Sequence, residues 1–106
     1  VISEEQCENA LKYLAATDET GAILKGQVAS KEYLAKLARS KVFLLSEGSV
    51  EARKATAEVS PEVQGAEMDY CTAVVEYEKV RAKRATRELV VETWRTCSAN
   101  QRRGNI

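Results

Sequence analysis

Apolar residues recur at helical spacing along most of this chain. Cys7, Ala10, Leu11 and Leu14 share one face near the start. They follow Ser3-Glu4-Glu5-Gln6, a capping box that also places acids where the helix dipole favours them. The spacing predicts a first helix over 3–15. Thr17-Asp18 restarts the pattern, with Asp18 suited to N-cap a second helix over 19–46. The pattern alone leaves open whether these are two helices or one kinked helix. Leu24, Val28, Leu34, Leu37, Ala38, Val42 and Leu45 form the expected apolar stripe of the second segment, and Lys25, Lys31, Lys36, Arg39 and Lys41 its polar side. Gly26 inside it costs about 1 kcal/mol relative to Ala. Close approach of another backbone and chance substitution both account for it.

Glu47-Gly48-Ser49 punctuates the chain most clearly. Gly48 suits a left-handed residue after a helix, and Ser49 can cap a connector helix over 50–58. Ser60-Pro61-Glu62 then supplies a cap, a proline at the first helical position and an acid in the first turn. A helix over 61–98 follows without a breaker. Val63, Ala66, Tyr70, Ala73, Val74, Tyr77 and Val80 lie near a heptad seam, and Met68, Cys71 and Val75 add a second apolar edge. The polar tail, 99–106, is expected to fray. The predicted fold class is all-α: a long antiparallel hairpin with a short N-terminal helix and a short connector. A lone hairpin buries one stripe per helix, so a homodimeric helical bundle is expected to complete the core.

Composition agrees with helix, since Ala, Glu, Lys, Arg, Leu and Val dominate over one Pro and five Gly. At 106 residues the chain is read as one domain. Its 16 basic and 16 acidic side chains cancel, which weighs against a general polyelectrolyte binder. They are segregated, however: the net charge is −4 over 1–20, +3 over 21–50, −5 over 51–78 and +6 over 79–106. Such blocks steer partners or set pairing register. There is no apolar run of transmembrane length, and the start is acidic, so a cytoplasmic protein without membrane contact is expected.

Catalytic chemistry is scarce. No histidine is present, which removes the usual general base. Cys7, Cys71 and Cys97 are odd in number and far apart, so they read as buried thiols or, alternatively, as a source of one inter-chain disulfide. Neither a zinc site nor a phosphate loop is predicted, no cofactor is expected, and the chain is read as a non-enzyme.

The most suggestive feature is the basic end of the third helix. Lys79, Arg81, Lys83, Arg84, Arg87, Arg95, Arg102 and Arg103 face only Glu88 and Glu92. At about 100° per residue Arg81, Arg84, Arg95 and Arg102 share one stripe, while Lys83 and Arg87 flank Trp94 on the next. Arginine forks beside an aromatic ring suit phosphates and bases. Lys83, Arg84, Arg87, Trp94, Arg95, Arg102 and Arg103 are therefore the candidate nucleic-acid or partner site. The competing reading has the bases complementing the helix dipole or pairing with acidic stretches, and Trp94 anchoring the end of the hairpin.

Several stretches resemble a family of small helical proteins encoded by tailed bacteriophages. The resemblance is carried by Ala16-Thr17-Asp18-Glu19, Glu32-Tyr33, Glu47-Gly48-Ser49-Val50-Glu51-Ala52-Arg53-Lys54, Tyr70, Tyr77-Glu78-Lys79 and Trp94-Arg95-Thr96-Cys97-Ser98-Ala99-Asn100-Gln101-Arg102-Arg103. It implies an early, non-virion protein encoded near recombination and replication functions, and lends no catalytic or ligand residue. Three roles are then in view. One is an accessory protein that binds nucleic acid or the recombination machinery through the basic helix end. Another is an inhibitor that binds a host defence protein such as a CRISPR complex, with Glu51, Glu58, Glu62, Glu67, Asp69, Glu76 and Glu78 mimicking nucleic acid. The last is a structural helical oligomer.

Overall fold

The computed structural model describes residues 1–104. It consists of α1 (Glu4–Leu45), α2 (Val50–Val59) and α3 (Pro61–Gly104), two long helices joined by a short one, with no strand among the described residues. The all-α hairpin expected from the spacing is the observed class. No helix is long and apolar enough to cross a membrane.

Local signals set the helix starts. The Ser3 hydroxyl accepts from the Gln6 N–H at 3.1 Å, and the Gln6 side chain accepts from the Ser3 N–H at 2.8 Å, completing the capping box. Ser49 caps α2 by accepting from the Ala52 N–H at 3.2 Å. Gly48 between α1 and α2 has φ +108°, a conformation that L side chains rarely adopt.

Two expectations about boundaries are corrected. First, α1 runs unbroken through Thr17-Asp18, where the sequence pattern placed a break between 3–15 and 19–46. Thr17 does not start a new helix: its hydroxyl donates to the Tyr13 carbonyl one turn back, at 2.8 Å. Second, α3 continues to Gly104, so 99–104 is helix rather than a frayed tail. Nothing between Ser98 and Arg103 breaks a helix, and Arg102 and Arg103 complement the dipole of the last turn. Residues 105 and 106 of the predicted tail lie outside the described residues.

An unbroken α1 has a consequence for packing. Its inward residues fall at positions 7, 10, 14, 17, 21, 24, 28, 31, 35, 38 and 42, alternately three and four apart. One continuous helix keeps one such stripe turned toward its partner. Leu34 and Leu37 are out of phase with it and lie at the surface, and Leu45 is exposed as the last residue of α1. This corrects the predicted stripe, of which Leu24, Val28, Ala38 and Val42 do face inward. On α3 the expected seam from Val63 to Val80 is the observed one, but Met68, Cys71 and Val75 are exposed.

The chain divides into two compact units. The first joins Val1–Ala22 to the stretch that begins at Glu78, and its core is Cys7, Ala10 and Val91 with Leu14, Val90 and Trp94 packed against them. The second, Ile23–Tyr77, buries Ala35, Ala38, Ala57 and Val63. In the first unit the small Cys7 and Ala10 of α1 meet Val91 and Trp94 of α3, and among the described residues the largest fully buried side chain is only Val63. Of the three cysteines, all free, only Cys7 is buried; Cys97 is half-buried and Cys71 exposed. The expectation of three buried thiols holds for one.

Candidate interaction surfaces

The basic end of α3 does not form one patch. Arg84 occupies an inward heptad position, with its side chain 22% exposed. Its guanidinium donates to the Leu14 carbonyl at 2.7 Å, to the Thr17 hydroxyl at 2.8 Å and to the Asp18 carboxylate at 3.4 Å. Gly21 lies beside this site, where an added Cβ would make ordinary contact with the Arg84 Cδ at 3.8 Å. The residues that read as a helix break are thus an arginine receptor on the flank of a continuous helix. Thr17 turns its hydroxyl to the guanidinium, and Asp18 supplies the charge.

Arg87 is also half-buried, its guanidinium 5.3 Å from the centre of the Tyr13 ring. Trp94 covers the cluster of Cys7, Ala10 and Val91, which is the anchoring reading of this residue. Lys83, Arg95, Arg102 and Arg103 are exposed. Arg81 is engaged by Glu78 at 3.2 Å, one turn earlier on the same helix. Of the seven predicted site residues, the structure therefore turns Arg84, Arg87 and Trp94 into the first unit and leaves four cations outside.

The predicted acidic surface is likewise largely engaged. In the second unit Glu58 and Glu67 both pair with Arg39, and Glu62 pairs with Lys41 at 3.3 Å. Hydrogen bonding to Glu67 above all, then to Glu58, holds the Arg39 guanidinium above its ordinary pKa. Glu76 and Glu78 also have partners. Glu51 and Asp69 are exposed. A mimic of nucleic acid needs a run of uncompensated negative charge, and here most of the seven carboxylates are compensated.

The surface that sequence reasoning missed lies in the second unit, where α1 ends and α2 begins. A groove of about 540 Å³ is lined by the apolar Phe43, Leu44 and Ala57, with Arg39, Lys54 and Glu58 beside them. The Arg53 guanidinium lies over the Phe43 ring, 5.7 Å from its centre. A second groove of about 450 Å³ is formed by Leu37, Lys41, Leu44 and Leu45 on α1 alone. Ser40 and Leu44 line both, so they form a ridge with a groove on either side. Leu44 is 74% exposed and Leu45 77%. The signal for this face was in the sequence, as leucines out of phase with the 7-10-14-17-21 stripe. Of these, Leu37 and Leu45 fall in the stripe expected for 19–46, and Leu44 does not.

No group of side chains able to hold a metal ion occurs among the described residues. No family model, curated protein or solved structure matches this chain, so its functional reading rests on its own residues.

Proposed function

We propose that this protein is a non-enzymatic helical interaction module that binds another protein through the apolar ridge and grooves at the α1–α2 corner. One observation carries the reading. Leu37, Leu44 and Leu45 are at least half exposed on a face with apolar grooves, in a chain whose own core is made mostly of alanine and valine. Contiguous exposed apolar surface in a soluble helical protein marks a place where something docks. The resemblance to early proteins of tailed phages supplies the setting: an accessory protein of infection whose partner is a phage or host protein. The test is capture from infected cells with the wild-type chain and with a Leu37→Glu/Leu44→Glu variant. A protein retained by the first and lost by the second is expected; identical sets from both would overturn the proposal.

A second reading, nucleic-acid binding, draws on Lys83, Arg95, Arg102 and Arg103, which are exposed. It predicts DNA or RNA binding that weakens steeply with salt and falls on charge reversal at Arg95 and Arg102. Charge reversal at Arg84, as an engaged inward residue, would unfold the first unit instead of reporting on binding.

A further inference from the structure

We infer that the ridge of Ser40 and Leu44 is a self-complementary surface, and that its occupant is the same ridge on a second copy of this chain. The inference rests on the proposal that this corner binds protein, and it names the partner.

Shape supports a second copy. Ridges formed by residues four apart on one helix pack into the grooves beside the equivalent ridge on another helix. Ser40 and Leu44 are four apart, and each side of their ridge carries a groove lined by apolar side chains. A two-fold axis across this face would place the Leu44 of each copy in a groove of the other, the isologous arrangement of most homodimers. Charge permits it as well. Arg39 pairs with Glu58 and Glu67 and Lys41 with Glu62 of the same copy, and with Lys54 at the rim these cations and acids balance. Two identical rims therefore meet near neutrality, without the like-charge repulsion that keeps identical faces apart.

Exposure gives the third support: Leu37, Leu44 and Leu45 are 50%, 74% and 77% exposed on this face. A chain whose largest fully buried side chain is a valine gains from the partner the leucine core that it lacks.

Sedimentation equilibrium or light scattering over a wide concentration range tests this. The expected wild-type mass rises from 11.7 kDa toward twice that value. Leu44→Glu, an exposed position in the single chain, should keep its helical circular dichroism and raise the dimer dissociation constant roughly a hundredfold. Leu89→Glu, exposed in the first unit, should leave the constant unchanged. A wild-type mass of one chain at every concentration would overturn the inference, as would a dimer indifferent to Leu44→Glu. If the wild type stays monomeric yet captures a partner that Leu37→Glu/Leu44→Glu loses, the docking proposal stands and the second copy is excluded.

Discussion

The two compact units share one heptad geometry and fill it with opposite chemistry. In the first, α3 sends large and partly polar side chains inward: Arg84 into a receptor of Leu14, Thr17 and Asp18, Arg87 over Tyr13, and Trp94 over Cys7 and Ala10. In the second, the buried positions are Ala35, Ala38, Ala57 and Val63, while Leu34, Leu37, Leu44 and Leu45 lie outside. The first unit is held by specific side chains that reach across the seam. The second fully buries only small residues and carries cross-helix ion pairs on its flank. Leu37, Leu44 and Leu45 of the same helix stay exposed and line the docking face.

This contrast predicts that the first unit fails when atoms are removed and the second when atoms are added. Trp94→Ala should have the largest effect, about 3 kcal/mol of stability, measured by urea unfolding followed by circular dichroism. Ala35→Leu in the second unit should cost about 2 kcal/mol through overpacking of a site that is 2% exposed, although the change adds apolar surface and favours helix. If Ala35→Leu were stabilising, the tight packing inferred from the burial of Ala35 would be wrong.

Arg84→Ala should cost on the order of 2 kcal/mol, because a charged donor with three acceptors is lost. Arg84→Met should cost less, since it keeps the stem and removes the need for the acceptors. Equal losses for the two would show that packing of the stem is irrelevant. Gly48→Ala should destabilise by about 1 kcal/mol, as a Cβ at φ +108° would also approach the Ala52 Cβ to 3.3 Å. Gly26→Ala is expected to stabilise by up to about 1 kcal/mol, because its Cβ would meet nothing within 4 Å. That open space excludes the close approach within the chain that Gly26 first suggested.

Charge chemistry in the first unit was the least legible part of the chain. Arg81, Arg84, Arg95 and Arg102 look equivalent on a helical wheel, yet Arg84 is inside and Arg95 and Arg102 are outside. What separates them is the opposite helix. Thr17 and Asp18 stand where Arg84 arrives, offering a hydroxyl and a carboxylate. The same residues misled the reading of α1, because Thr and Asp favour helix starts when only neighbours are considered. In the folded chain their oxygens serve α3.

Features that depend on residues within one or two turns could be read from the sequence alone. The capping box at Ser3, the left-handed Gly48, the cap at Ser49, the start at Pro61 and the heptad of α3 from Val63 to Val80 are all of this kind. Their energies come from bonds and dihedral angles that neighbours determine. The tertiary structure decided the continuity of α1, the phase of its buried stripe and the fate of Arg84, Arg87 and Trp94. Each depends on which side chain of a distant segment arrives opposite. That pairing determines whether a leucine is core or docking surface, and whether an arginine is a free cation or a structural donor.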